Sequence, residues 1–438
     1  MMKIETNNKM KDWKKFKQNR LASRSVYVLI FIVLISLLAP IIANQKPLYI
    51  KYKGQLFFPA FSQKNSYEIT DPTTGIVERL QLDICDWKHL KYDRVIFPPI
   101  PYSPGVEDYQ NANYKGPFDE QEYKDNSDTI VPIPMKYHHF LGTNKRGEDV
   151  LSSIIHGAKT ALMTGIFSML IASFLGLFLG CISGYFGDRN LKSSRGSVIA
   201  LTIGVFLAFY YSVSVRFYTL EDALATSPVL FLYEVFLSLI LFFAICYLFH
   251  FIGSKLSINK FLKKSVEIPI DTIITKAIEI LVSLPQIILI ITIAAIAKRS
   301  MVNVVLIIGF TSWTGIARLT RAEFLRIREF EYIAAAKSLG YSQFRVIFRH
   351  AMPNAIGPAM VAISFGIAGA ILIESSLSFL YIGVPMDTVS WGRLLAEGRE
   401  QFSAWWLVVF PGICIFVTVT IYNLIGEGLR DAFDPKTR

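Results

Sequence analysis

Apolar runs of membrane length alternate with polar stretches along the whole chain. Crossing about 30 Å of hydrocarbon takes roughly 20 helical residues at about 1.5 Å each. The pattern predicts eight membrane helices, at residues 25–43, 161–186, 198–215, 229–251, 276–296, 302–316, 356–373 and 405–425. The second carries Gly176, Gly180 and Gly184 at four-residue spacing, a small-residue stripe that lets membrane helices approach closely. Leu284-Pro285 interrupts the fifth. Proline frees a backbone carbonyl and bends a helix, which makes Pro285 a candidate pivot for gating. The seventh places Gly366, Gly369 and Ala370 on one face and ends at Glu374. A carboxylate at a membrane boundary is a second candidate for translocation or gating.

The polar stretches differ in character. Residues 44–160 are rich in Tyr, Pro, Asn and Asp, with short aromatic and β-branched runs at 48–52 and 55–58. They predict a small β-containing domain outside the membrane. The Pro-rich run at 98–104 reads as extended chain. His138-His139 has no further ligands at helical spacing, so the pair reads as surface residues and not as a metal site. Gly142 and Gly147 have P-loop spacing, but Glu148-Asp149 follows where Lys-[Ser/Thr] is required. Two carboxylates would repel phosphates, so the chain is not expected to hydrolyse ATP itself.

The 438 residues are 52% hydrophobic, with a mean hydropathy of +0.40. The formal charge of +11 could suggest nucleic acid, but the basic residues cluster beside the apolar runs, as membrane orientation requires. Residues 1–25 hold Lys3, Lys9, Lys11, Lys14, Lys15, Lys17, Arg20 and Arg24 against Glu5 and Asp12, which places this end in the cytoplasm. The first apolar run lacks a small-x-small cleavage site and reads as an anchor. Three of the cysteines, Cys181, Cys246 and Cys414, lie in apolar runs and Cys85 in the outer stretch, so no disulfide framework is expected.

Between the sixth and seventh runs the chain turns basic. Arg318, Arg321, Arg326, Arg328, Lys337, Arg345 and Arg349 face only Glu323, Glu329 and Glu331, and the loop belongs on the cytoplasmic side. Residues 332–339 are Ala-rich and predict a short helix, Gly340 a break, and 341–350 a second short helix ended by Pro353. The segment EYIAAAKSLGYSQFRVIFRHAMPN, residues 331–354, resembles the EAA loop of importer-type ABC permeases. Ala335, Ala336 and Gly340 match that pattern, Met352-Pro353 stands where Leu-Pro is usual, and Ala334 replaces the motif's Glu. Further stretches resemble oligopeptide permease C-type subunits: Trp13-Lys14-Lys15-Phe16 through Arg20, His139-Phe140-Leu141-Gly142-Thr143 through Leu151, Glu374 through Leu380, Trp391-Gly392-Arg393, and Gly426 through Pro435. In the second of these Asn144 replaces Asp and Glu148 replaces Arg. Residues 42–59 resemble microcin C-type peptide permeases.

The resemblance implies an all-α integral membrane protein of the type I ABC importer permease fold, with about eight transmembrane helices and a small β-containing extracytoplasmic insert after the first. It divides the chain into an N-terminus and first span (1–43), an extracytoplasmic domain (44–160), a second span (161–187), an inserted hairpin (188–267) and the remaining permease core (268–438) with its coupling loop at 318–355. The hairpin departs from the family pattern. Basic residues flank it, its connection with Glu221 and Asp222 reads as an acidic outer tip, and its Phe- and Leu-rich faces read as lacking small-residue stripes. The implied ATPase-coupling residues are Tyr332, Ala335, Ala336, Gly340, Arg345 and Pro353; no catalytic or metal-binding residue is implied. The implied location is the bacterial cytoplasmic (inner) membrane, multi-pass, with both termini in the cytoplasm. The implied partners are a second, B-type permease, two ABC ATPases that hold ATP and Mg, and an extracytoplasmic binding protein that delivers a peptide or peptide-like substrate; the chain itself would bind no cofactor. A nickel or metal-complex importer shares these motifs. A secondary transporter would need intramembrane ionisable groups, and only Glu374 and Glu234 are candidates, both near span ends.

Overall fold

The computed structural model describes residues 15–433 except 63, 65, 71–76, 83–84, 125–128, 227, 257–258 and 386. Trp13, the basic residues up to Lys14, and Asp434-Pro435 lie outside the described residues, as does the side chain of Glu221. Among the described residues, 7 helices are long and apolar enough to cross a membrane, or 8 if one bent pair forms a single span. The chain is a multi-pass membrane protein. It divides into two units, residues 1–178, 280–320 and 330–438 in the first and 179–279 and 321–329 in the second.

In the first unit, helix α1 (Arg20–Ile42) is capped by Asn19, whose Oδ1 accepts from the Ala22 amide at 3.1 Å. The outer domain follows. Strands β1 (Tyr49–Tyr52), β2 (Gln55–Phe57) and β5 (Arg94–Ile96) form an antiparallel sheet, and β3 (Ser66–Thr70) with β4 (Val77–Gln81), and β6 (Glu122–Lys124) with β7 (Ile130–Pro132), form hairpins. Ile50, Leu80, Leu82 and Trp87 make its core, and the Trp87 indole donates to the Leu82 carbonyl at 3.2 Å.

Helix α2 (Val150–Phe186) starts eleven residues before the predicted span, because Asp149 caps it by accepting the Ser152 amide at 2.6 Å. The small-residue stripe works as expected within this unit: a Cβ on Gly176 would lie 2.7 Å from Ile316.

The second unit contains the inserted hairpin. Strands β8 (Lys192–Ser194) and β9 (Ser265–Glu267) pair antiparallel and tie its two ends together. Between them run α3 (Arg195–Phe209), extended by a π turn over Tyr210–Ser214, the short α4 (Phe217–Thr226) and α5 (Pro228–Leu256). Two sequence expectations fail here. Gly196, Ala200, Gly204, Ala208 and Ser212 recur every four residues on α3, and a Cβ on Gly204 would lie 2.5 Å from Phe249 on α5, so the hairpin does close on a small-residue stripe. The tip is not purely acidic either, since Arg216 stands there and pairs with Glu234. Phe249 packs in that seam, whereas Phe206, Phe236 and Phe243 are exposed, as a lipid-facing surface requires.

The predicted fifth span begins earlier than expected and is broken, not kinked: α6 (Ile270–Val282) and α7 (Gln286–Ile296) meet at 79° across Ser283-Leu284-Pro285. Then come α8 (Met301–Ile327), α9 (Glu331–Ser338), α10 (Met352–Phe379), α11 (Trp391–Glu400) and α12 (Trp406–Phe433). Within the first unit, α1 lies along α12: Gly428 sits against Ala22 and Phe16, and the Asn19 amide donates to Asp431 at 3.1 Å. The two ends of the described chain are therefore on the same side of the bundle.

Candidate functional site

The basic loop is built on α9. Phe330 precedes it in extended conformation, and the helix buries Ile333 and Ala336, one turn apart, on its inner face. Ala334, Ala335 and Lys337 consequently face outward. Of the two alanines predicted to couple, Ala335 is on the open face and Ala336 is packed inside. Gly340 has φ +76°, the left-handed region, and a Cβ there would meet nothing within 4 Å. Its requirement is conformational and not steric.

Ser342 caps the next turn by accepting the Arg345 amide at 3.4 Å. The chain then winds as a π turn over Val346–Ala351 and runs directly into α10. Pro353 does not end the unit. It lies at the start of α10, directly behind the π turn, in a helix that is continuous from Gln343 to Phe379. The Arg345 guanidinium lies 5.1 Å from the Tyr341 ring, and that ring stacks on His350 at 5.7 Å. Tyr332 accepts from the Asn354 amide at 3.3 Å, which ties α9 to the start of α10. Leu339, Tyr341, Phe344 and Phe348 are exposed, Leu339 and Phe344 each at 71%. A basic loop that presents four large apolar side chains beside two outward alanines has the composition of an interface.

Pro285 lies elsewhere in the same unit, in a cleft of about 490 Å³ bounded by the α6–α7 break, α8 and α10. Gln286 donates to the Ser312 hydroxyl at 3.0 Å along its wall, and Gly366 and Gly369 line the α10 side. Arg318 is the one charged side chain among the described residues that line it. Glu374 is not in this lining. It is fully buried at the end of α10, accepting the Ser378 hydroxyl at 2.7 Å and the Ser375 hydroxyl at 3.4 Å. The two gating candidates therefore do not share a site.

The outer domain holds a polar cluster that the residue-by-residue reading missed. His139 is completely buried, against the expectation of a surface residue. Its ring nitrogens meet Asp149 at 2.9 Å and Asp108 at 3.3 Å, Tyr102 stacks on it at 4.0 Å, and Gln121 holds its backbone at 2.8 and 3.0 Å. Burial opposes the imidazolium, yet the hydrogen bonds to Asp108 and Asp149 outweigh it and hold the ring above its ordinary pKa. Burial likewise opposes the Asp108 carboxylate, but His139 and Lys88, the latter 3.8 Å away, hold it below the usual range.

The neighbouring positions 144 and 148 form a second network. Glu148 accepts from Asn144 at 2.7 Å and pairs with Arg146 at 2.7 Å and Arg393 at 3.3 Å, while Asn144 also donates to Glu397 at 2.9 Å. The charge reversal at 148 is thus matched by Arg393 on α11. The loop between needs its glycines. Gly142 (φ +76°) would place a Cβ 2.6 Å from the Lys115 carbonyl, and Gly147 (φ +83°) would drive one into the Asp108 carbonyl.

Residues 261–438 match the family described as binding-protein-dependent transport system inner membrane component, and residues 12–60 match the N-terminal TM domain of oligopeptide transport permease C. The chain is 24% identical over 427 residues to the inner membrane ABC transporter permease protein YejE of Escherichia coli (strain K12), covering 97% of this chain and 96% of that protein. It is 24% identical over 445 residues to the peptidoglycan transport system permease protein YejE of Agrobacterium fabrum, covering 97% and 92%. The glutathione transport system permease protein GsiD of Pectobacterium atrosepticum is 27% identical over 328 residues, 75% of this chain and 82% of that protein. With the membrane helices, the basic loop on α9 and these matches together, residues 261–438 carry the domain of the inner membrane components of binding-protein-dependent transport systems, and the chain as a whole is similar to permeases of ABC importers.

Proposed function

We propose that this chain is the C-type permease subunit of an ATP-driven importer of peptides or peptide-like compounds, and that the loop from Glu331 to Pro353 couples it to separate ATPase subunits. The observation that carries the proposal is the outward face of that loop. Ala335 lets a partner surface approach α9, Gly340 turns the chain sharply in a conformation open to glycine, and Leu339, Tyr341, Phe344 and Phe348 offer apolar area to a groove. Arg345 and Tyr332 stiffen the loop through the contacts given above. Two ATPases closing on ATP and Mg would draw this loop, and its counterpart on a second permease, together. α10 continues the loop without a break, so the movement passes directly into the membrane. The break at Pro285 supplies a place where the path can flex. An external binding protein would deliver the cargo. Both termini and the loop lie in the cytoplasm in this reading, supported by their basic residues and by the packing of Phe16 and Ala22 against Gly428 and Ala432.

The peptide reading draws on the relatives given above, a peptidoglycan transport system permease protein and a glutathione transport system permease protein. Reconstitution tests it. The purified chain alone should hydrolyse no ATP. In vesicles with the second permease, the ATPases and the binding protein, it should support ATP-dependent uptake of a short labelled peptide. ATP turnover by the chain alone, lost on mutating one of its own residues, would refute the division of labour.

A further inference from the structure

The cleft beside Pro285 has one unusual electrostatic property. Its walls are apolar or neutral-polar, with Gln286, Thr311, Ser312 and Thr314 supplying the polar groups, and no carboxylate is among the described residues that line it. Arg318 alone brings charge. The other arginines of α8 and its end are each engaged: Arg321 with Asp271 at 2.5 Å, Arg326 with Glu323 at 2.7 Å and Arg328 with Glu329 at 3.0 Å. Arg318 has no ion pair or hydrogen bond among the described residues. At about 1.5 Å per residue it stands about 26 Å along α8 from Met301, at the inner end of a membrane crossing.

We infer that Arg318 is a specificity-determining residue of the translocation path, where the guanidinium engages a carboxylate of the cargo. The inference rests on the peptide reading above. A guanidinium presents a planar fork that fits a carboxylate with two parallel hydrogen bonds, and an ammonium cargo group would be repelled. No described residue of this chain that lines the cleft offers a carboxylate, and we assign that role to the cargo. Every unmodified peptide carries one at its C-terminus. The Gln286–Ser312 pair on the same wall can serve the neutral amide groups that precede it.

The test compares uptake of labelled trialanine with that of trialanine amide, in vesicles holding the full complex. The binding protein also sees the difference between the two, so the readout is how the acid-to-amide rate ratio changes on substitution. Loss of one charge-assisted contact is worth about tenfold. Arg318→Gln should therefore lower the ratio about tenfold, mainly by slowing the free acid, and Arg318→Lys should restore most of it. Rates are normalised to the amount of assembled complex, and Arg318→Lys guards against a variant that merely assembles poorly. An unchanged ratio in Arg318→Gln, with both peptides still taken up, would overturn the inference and leave the peptide reading standing. Failure of the wild-type complex to take up either peptide would overturn both.

Discussion

Replacing His139 by Gln tests the outer domain most sharply. The ring is fully buried between two carboxylates, Asp149 at 2.9 Å and Asp108 at 3.3 Å. Gln is similar in length but carries no charge, and it can satisfy only one of them. The other carboxylate is left in the interior without its counter-charge. Breaking a buried pair in this way costs about 3–5 kcal/mol. Asp149 also caps α2 through Ser152, so the cost falls where the outer domain joins the membrane helix. The wild-type pH dependence has a defined sign. His139 has a raised folded pKa, so its contribution is complete below the unfolded value of about 6.5 and is lost as pH rises through the folded value. Asp108 has a lowered one, so its contribution is complete above about 4 and is lost as pH falls through its folded value. Hydrogen exchange of residues 44–149 in the purified protein, from pH 5 to pH 9, reads the His139 contribution while that of Asp108 stays complete throughout. Lys88, Asp108, Asp149 and Tyr102 remain in the variant, so the difference between the two profiles isolates the imidazole. The expected result is faster opening of the outer domain in His139→Gln at pH 6, with the gap to wild type narrowing as pH rises. Equal protection at pH 6, or a constant gap across the range, would refute the account of the buried imidazolium.

Two further outcomes follow from backbone and topology. Gly147→Ala should prevent the outer domain from folding, seen as loss of monodisperse protein on size exclusion, because the new Cβ meets the Asp108 carbonyl and φ is +83°; a well-folded variant would contradict the loop geometry. Cysteine at Asp222, on the exposed side of α4, should react with a membrane-impermeant maleimide from outside intact cells, whereas labelling only after permeabilisation would reject the hairpin topology and the eight-span arrangement with it.

Much of the membrane part was legible because a bilayer imposes a strong composition rule on length and polarity. The apolar runs gave the spans, and Gly340 gave the break after α9. Helix ends were less legible. Caps such as Asp149 and Ser342 act through single hydrogen bonds, and α2, α8 and α12 run past their apolar cores into polar sequence. Pro353 misled because proline commonly stops a helix, whereas here the helix continues through it behind a π turn. The hairpin's stripe at 196, 200, 204, 208 and 212 stood in the sequence at four-residue spacing and was masked by the larger Phe and Leu residues between. His139 was hidden for a different reason. Its partner Asp108 lies 31 residues upstream, and no local pattern joins them. The signal available was the dense run of Gly142, Gly147 and Asp149 behind it, which marks a tightly folded loop and not open surface. Pro285 interrupts a span and Glu374 ends one, and nothing in the sequence said that Pro285 would line a cleft while Glu374 would be buried apart from it.

The coupling loop is the central claim, and Ala335→Glu is its most direct test. Ala335 is on the open face of α9 and its neighbour Ala336 is inside, so the substitution puts a carboxylate on the docking surface without disturbing the packing beneath. Gly340→Pro is the companion, since proline holds φ near −65° and cannot adopt the +76° found there. The measurement is ATP-dependent uptake together with ATP hydrolysis by the reconstituted complex, at matched abundance in the membrane. The account predicts that both variants insert normally and that uptake no longer follows ATP hydrolysis. Uptake at the wild-type rate by both variants would contradict it.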